Sequence, residues 1–287
     1  MHQVTAYGGL KEVPFKQAIM QSPGFLPQPS NDQLENQYNN FLSIANVSNV
    51  EQLRALSTEA LQAANLVAVW ESTWGTFQFG PAVDGFFVPA LPGKLLLDGN
   101  FANDLNIMVG HNLNEGLLFT DPLINDTASF DSYVRQELPA ATDAIINYII
   151  NDLYPASAFP NFISRIALVQ SELSFTCNTR YLDLAFNNQT YSYYFTVPPG
   201  LHGSDIPYTF YNGGSVVNAT AAIALQDWIT TFTETGVPSS PDVPNAPVFS
   251  MYGPNSTVLN LAASSITPQM DTVANARCSF WQKGLYV

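Results

Sequence analysis

Three short apolar runs, each bounded by turn-forming residues and separated by long stretches of helical pattern, constrain the fold of this 287-residue chain more than any other feature. Ala18-Ile19-Met20 lies between Pro14 and Ser22-Pro23-Gly24, and a brief apolar run so punctuated predicts a buried strand over residues 17–21. Asp104 to Gly110, with Leu105, Ile107 and Val109 as its apolar side chains, predicts a second, parallel strand. Gln189 to Pro198, dense in Tyr and Phe, predicts a third. Helical segments are expected at about residues 1–7, 31–45, 49–56 and 58–69, the last three opened by the capping residues Ser30, Asn49 and Ser57. Further helices are expected at about 129–137, 140–152, 158–168, 169–186 and 218–235, the last ending at Gly236, which can take the left-handed conformation of a C-terminal cap. Thr257 to Leu261 reads as a candidate edge strand and 267–284 as a closing helix. The expected class is α/β: a mostly parallel sheet flanked by helices. No internal repeat, low-complexity tract or Gly/Ser linker divides the chain, so it reads as one domain or the later part of one.

Composition narrows the function classes without choosing one. Hydrophobic residues at 46% and aromatic ones at 13% can build a sizeable core at this length, which argues against global disorder. The formal charge of -14, from 9 basic and 23 acidic side chains, repels phosphate backbones and anionic membranes, making nucleic acid a poor partner. No apolar run reaches the roughly 18–20 residues needed to span a bilayer, so no transmembrane segment is expected. No basic segment followed by an apolar core opens the chain as a signal peptide would. Neither cofactor nor metal is expected, and the sequence sets no oligomeric state.

The chemistry is carried by two short segments 87 positions apart, Asn112-Leu113-Asn114-Glu115-Gly116 and Leu201-His202-Gly203-Ser204-Asp205. They look like the acid and base of a Ser-Glu-His triad in the chain order of α/β-hydrolases. Glu115 lies just past the carboxyl end of a predicted parallel strand, where open α/β sheets place ligand-binding groups. A carboxylate there can accept the N–H of an imidazole; the alternative is a solvated turn carboxylate. His202 follows a predicted strand and the turn Pro198-Pro199-Gly200, on a loop that a rigid strand positions. Its imidazole would act first as base and then as acid, against the alternative of a surface or satisfied core histidine. The other two histidines fit less well: His111 is too near Glu115 in sequence to partner it from a different strand, and His2 falls in a predicted helix. Asp205 is expected to order its loop rather than perform chemistry.

The nucleophile is missing from this pattern, because the sequence contains no Gly-x-Ser-x-Gly. Ser22 is the nearest serine to the predicted site, but it has no elbow around it, and Pro23 removes the backbone N–H that should follow a nucleophile.

Several segments in the same order resemble the type B carboxylesterase, lipase and cholinesterase family over nearly the full length. Phe15 to Ser22 is similar to the strand that follows the nucleophile elbow. Pro81-Ala82-Val83-Asp84-Gly85 resembles the Val-Asp-Gly segment ahead of the acid-bearing strand, and Ile107 to Gly116 the acid-bearing strand and turn. Cys177 through His202 to Cys278-Ser279-Phe280-Trp281 is similar to the C-terminal third. The resemblance implies an α/β-hydrolase fold of which residues 1–287 are the C-terminal part, with the elbow, typically Gly-Glu-Ser-Ala-Gly, expected just before a segment like Met1 to Ala6. It implies Glu115 as triad acid, His202 as base and a small-molecule or lipid carboxylic ester as substrate. A polypeptide of this sequence, lacking nucleophile and oxyanion hole, is then expected to be inactive as an esterase, and to leave the backbone of an otherwise central strand exposed. The alternatives are a non-catalytic remnant or a cholinesterase-like binding or adhesion protein.

The resemblance also implies a Cys177–Cys278 disulfide, against the alternative of two buried free thiols. Five sequons, at Asn46, Asn125, Asn188, Asn218 and Asn255, join the cysteines in suggesting a secreted, extracellular glycoprotein. The aromatic run Trp70, Trp74, Phe77, Phe79, Phe86 and Phe87 is read either as an acyl-pocket lining or as core. Tyr191, Tyr193, Tyr194 and Phe195 read as strand core, and Trp228 and Trp281 as packing helices onto the sheet.

Overall fold

The computed structural model describes residues 1–25, 31–76, 78–214 and 217–287, with the side chains of Asn31 and Asp32 also left aside. Five strands form one sheet in the order β1 (Gln17–Gln21), β2 (Asn106–Asn112), β3 (Tyr191–Phe195), β4 (Thr257–Leu261) and β5 (Ile266–Met270). The first three pairings are parallel and the last is antiparallel. The helices are α1 (His2–Thr5), α2 (Asn31–Ile44), α3 (Val50–Arg54), α4 (Thr58–Trp70), α5 (Pro92–Leu97), α6 (Thr127–Glu137) and α7 (Asp143–Tyr148). They are followed by α8 (Phe162–Ser171), α9 (Cys177–Ala185), α10 (Ile206–Thr209), α11 (Ala219–Thr235) and α12 (Ala276–Gln282).

Local chemistry accounts for the helix ends. Asn49 caps α3 by accepting from Gln52 N at 2.9 Å, and Ser57 caps α4 by accepting from Ala60 N at 3.3 Å. The expected cap at Ser30 lies outside the described residues. Gly236 closes α11 in the left-handed region, at φ 79°. The first helix is shorter than expected, because Tyr7 and Gly8 take positive φ and turn Ala6–Gly9 into a kinked 3-10 segment. Helices α8 and α9, expected as separate segments, are joined by one π turn over Glu172–Thr176, with right-handed helical backbone on both sides.

The C-terminal expectation is corrected by the sheet. Residues 266–270 are not the start of a helix but the antiparallel strand β5, and helix begins only at Ala276. β-branched Ile266 and Thr267 favour extended backbone, and Pro268 forbids a helix interior while being tolerated on an edge strand. The same strand removes β4 from the edge, since β4 lies between β3 and β5.

Residues on β2 alternate between two cores, as the period of two requires. Ile107 and Val109 pack with Phe130, Ile149, Ile166, Leu182 and Trp281 on one face. Met108 packs with Tyr191, Tyr193, Phe195, Trp228 and Phe232 on the other. The tyrosine-rich β3 is buried along its whole length, and Trp228 and Trp281 are both buried as expected. Of the aromatic run, Trp70, Trp74, Phe79 and Phe86 are exposed and so not core, Phe87 is half-buried, and Phe77 lies outside the described residues. Among the described residues no helix is long and apolar enough to cross a membrane.

A disulfide joins Cys177, at the start of α9, to Cys278 in α12 across 101 residues. Beside it, the buried Glu172 takes a two-pronged contact from Arg277, Nε at 2.6 Å and Nη2 at 2.7 Å, and a hydrogen bond from the Tyr154 hydroxyl at 2.6 Å. Together they fasten the C-terminal helix to the α8–α9 column. In the chain-entropy description a loop of this size is worth about 4 to 5 kcal/mol. Replacing both cysteines by alanine is therefore expected to lower the unfolding free energy by about that amount, read from urea denaturation extrapolated to water, with an m value that rises because the freed unfolded chain exposes more surface.

Two other buried carboxyls are shifted by burial. Burial pushes Glu137 up to about 7 from the 4.5 of a free glutamate, and both its oxygens are without a partner. Burial likewise pushes Asp183 up to about 7 from 3.8, against the lowering effect of Ser192 and Thr190. Folded pKa values above unfolded ones mean the unfolded chain releases these protons first as pH rises. The contribution of these two groups to stability is then full below about pH 4, falls between about pH 4 and 7, and is lost above. Thermal melts across that window should show the decline, and Glu137→Gln should make it shallower.

Candidate active site

The carboxyl ends of β1, β2 and β3 converge, and the loops leaving them supply the site. β2 pairs with β3 from Met108↔Tyr191 to Asn112↔Phe195. Beyond the strands the two chains stay zipped: Leu113 N donates to Phe195 O at 3.0 Å, Asn114 N donates to Gly200 O at 2.7 Å, and Asn114 and Leu201 form an isolated parallel bridge. The 3-10 turn Glu115–Phe119 starts at that point, and His202 follows the bridge on the other side. The His202 Nδ1–H donates to Glu115 Oε2 at 2.5 Å. The two residues singled out in the sequence are thus in direct contact.

Glu115 is completely buried, while about a third of the His202 side chain is open to solvent. A carboxylate out of water must have its lone pairs satisfied. Its Oε1 receives the Ser22 hydroxyl and the Asn112 backbone N–H, each at 2.5 Å. With Oε1 so occupied and Oε2 committed to His202, the carboxylate cannot rotate away from the ring. The acid turn is pressed against α8: Gly116 N donates to Ser171 Oγ at 2.8 Å, and a Cβ on Gly116 would fall 2.2 Å from the Ala167 carbonyl oxygen. No larger residue fits beside the acid.

A second tier of polar groups holds these donors. The Asn112 side-chain amide donates to Ser22 Oγ and to Asp205 Oδ1, both at 3.2 Å. Gln21 Nε2 donates to Asp205 Oδ2 at 3.1 Å, and the Tyr193 hydroxyl reaches the same oxygen at 3.4 Å. Asp205 therefore orders the loop, as expected, by tying it to the last residues of β1 and β2 and to the middle of β3. Burial raises its pKa, Asn112 opposes that rise, and the charge of Glu115 adds to it.

Ser22 acquires a part that the sequence reading did not give it. It is buried, sits at φ 46°, and spends its hydroxyl proton on Glu115. A signal was available, since Ser22 is the first residue beyond the carboxyl end of the strand next to β2. Phe119 and Phe175 were also missed. Their rings flank the His202 imidazole at centroid distances of 5.4 and 4.4 Å.

The other histidines are built into the fold. His111 is buried in β2; Thr179 Oγ1 donates to Thr176 O at 2.7 Å, so the His111 Nδ1–H must donate to Thr179 Oγ1 at 3.3 Å. Burial lowers its pKa. The His2 ring packs on Phe25, and burial draws its pKa down to about 4. Of the sequons, Asn46, Asn125 and Asn255 are exposed, and Asn218 is exposed but caps α11. At Asn188 the side-chain oxygen is buried without a partner, and the sequon's Thr190 hydroxyl is spent on Asp183. Among the described residues no group of His, Cys, Asp and Glu is arranged to hold a metal.

A mostly parallel α/β sheet with an acid and an imidazole on adjacent strand-end loops defines an α/β-hydrolase fold. Aspergillus niger EstA superposes with a TM-score of 0.83 at 21% identity, covering 98% of this chain and 60% of that structure. A family profile described as "Carboxylesterase family" matches residues 8–281, and the chain belongs to that family. Carboxylesterase patB of Aspergillus clavatus is 34% identical over 98% of this chain and 52% of its own length. The namesake from Penicillium expansum is 34% identical over 98% and 51%. The chain spans about half the length of these two relatives.

Removing the Ser22 hydroxyl takes one of two donors from Oε1 of a buried carboxylate, which costs about 1–3 kcal/mol. Ser22→Ala is expected to be destabilised by that amount, whereas Ser204→Ala, on the more open His202 loop, should stay within about 0.5 kcal/mol of the parent in the same denaturation experiment.

Proposed function

We propose that Glu115 and His202 are the acid and base of a Ser-Glu-His carboxylic ester hydrolase whose attacking alcohol belongs to a Gly-x-Ser-x-Gly segment not contained in these 287 residues. The observation that carries this reading is the 2.5 Å bond from His202 Nδ1 to a carboxylate that is wholly buried and held by two further donors. That bond leaves Nε2 as the lone-pair nitrogen of a ring about a third open to solvent. Nε2 would take the proton of the serine hydroxyl as its oxygen bonds to the ester carbonyl carbon. It would return that proton to the departing alkoxide, and a water molecule would repeat the cycle on the acyl-enzyme. Glu115 stabilises the imidazolium formed in between, without itself taking the proton.

Family membership supports a carboxylic ester of a small molecule or lipid as substrate. The disulfide, with exposed sequon asparagines at 46, 125 and 255, supports a secreted location.

Joined to the part of the Aspergillus clavatus relative that it does not match, the chain is expected to hydrolyse p-nitrophenyl esters. Glu115→Gln or His202→Ala in that hybrid should then reduce kcat/KM by roughly 10³-fold or more. A hybrid whose activity survives both substitutions overturns the assignment. The 287 residues by themselves are expected to take no fluorophosphonate on any serine, as read by peptide mass spectrometry. Labelling there would refute the inactivity of the isolated chain.

A further inference from the structure

We infer that Phe175, backed by Gly24, is a positioning residue that fixes the tilt of the His202 imidazole and so aims its Nε2. The inference rests on His202 being the base, and it addresses what the Glu115 bond leaves undetermined. A single hydrogen bond does not by itself hold a ring that is about a third open to solvent: the imidazole can tilt out of line with the carboxylate, and its Nδ1–H then exchanges with water. The backbone offers little resistance: His202 stands between Gly200 and Gly203, both at positive φ, 61° and 80°. Something must bear on the face of the ring.

Phe175 does so. Its ring centroid is 4.4 Å from that of His202, with the planes inclined by 38°. Phe119 meets the same imidazole more nearly edge-on, at 5.4 Å and 64°, and stacks on Phe175 at 5.2 Å and 27°. The three rings thus form one packed group in which Phe175 is the most enclosed, 2% exposed. An aromatic face beside the imidazole also favours its cationic form during proton transfer, which an aliphatic side chain of equal size cannot do.

The seat is held from behind by the backbone. Phe175 belongs to the π turn Glu172–Thr176, where one extra residue in the turn changes the direction in which side chains leave the α8–α9 column. The loop after β1 is clipped to this turn: Phe25 N donates to Ser174 O at 2.8 Å, and Asn178 Nδ2 donates to Pro23 O at 2.7 Å and to Ser174 O at 2.9 Å. A Cβ on Gly24 would lie 2.8 Å from Phe175 Cε1 and 3.1 Å from Cδ1. Glycine is required there by the space the ring occupies, because a methyl group would drive Phe175 off its position. Glu172 and Cys177, at the two ends of the turn, are the residues tied to Arg277 and Cys278.

The test is proton NMR on the full chain with nitrogen-15 in its histidines, following the Nδ1–H of His202, assigned by its loss in His202→Asn. In the parent a slowly exchanging Nδ1–H resonance is expected. Phe175→Leu and Gly24→Ala should each lose it to exchange, while Phe175→Tyr, which keeps the ring, should retain it. Persistence of the resonance in Phe175→Leu and Gly24→Ala, with the remaining spectrum intact, overturns the inference. Should Phe175→Leu fail to fold, Gly24→Ala, which adds a methyl and removes nothing, decides alone. A parent that shows no bonded Nδ1–H overturns the acid–base pairing itself and the seat with it, and so is distinguishable from failure of the positioning argument.

Discussion

The parallel pairing of β2 with β3 is the constraint on which the site depends. Its register brings Asn112 opposite Phe195, and the loops beyond remain hydrogen-bonded until Asn114 meets Leu201. The acid then lies three residues past its strand and the imidazole seven past its own, so the contact between them is inherited from backbone geometry. A slip of one residue would turn every side chain of β3 to the opposite face. Because both faces of these strands are packed, Met108 and Tyr193 against Trp228 on one side and Val109 against Phe130 and Ile166 on the other, the slip would expose apolar surface in two cores at once. The hydrophobic core therefore sets a distance between two polar atoms that it does not touch.

Buried carboxylates show what the fold does with charge. Glu115 and Glu172 are equally inaccessible, and both are surrounded by donors: a hydroxyl, a backbone N–H and an imidazole for the first, a guanidinium and a phenol for the second. Charge-assisted contacts of this kind offset the loss of hydration. Glu137 has no such shell, and its carboxyl is driven toward the neutral form. Two of the three thus serve a geometric purpose, one aiming an imidazole and one anchoring the last helix, while the third is a cost that the core carries.

What the sequence made legible followed from period and punctuation. The bounds of β1 emerged directly from an apolar run between a proline and a Ser-Pro-Gly turn, and Glu115 and His202 could be located because they follow strands whose carboxyl ends must face the same way. What stayed hidden was of two kinds. The strand β5 was concealed by lying within a few residues of the genuine helix α12, so a single helical reading covered both although Pro268 argued against it. The parts played by Ser22, Phe119 and Phe175 were concealed because they are relations to residues distant in the chain, Ser22 to Glu115 and both phenylalanines to His202. No local pattern distinguishes a phenylalanine facing a histidine from one facing a leucine, and only the π turn, which has no sequence signature here, decides where Phe175 points.

Two carboxylates, Glu115 and Asp205, lie near a single imidazole, and their division of labour follows from what separates them. Asn112 stands between, its backbone N–H given to Glu115 and its side-chain amide to Asp205 and Ser22. Only Glu115 has an oxygen directed at His202; the oxygens of Asp205 are spent on Asn112 and Gln21, the last residues of β2 and β1, and on Tyr193 in the middle of β3. Burial and the neighbouring charge of Glu115 both raise the pKa of Asp205. An imidazolium at position 202 would then meet the Glu115 oxygen at hydrogen-bonding distance, while the Asp205 carboxyl holds β1, β2 and β3 together beside it.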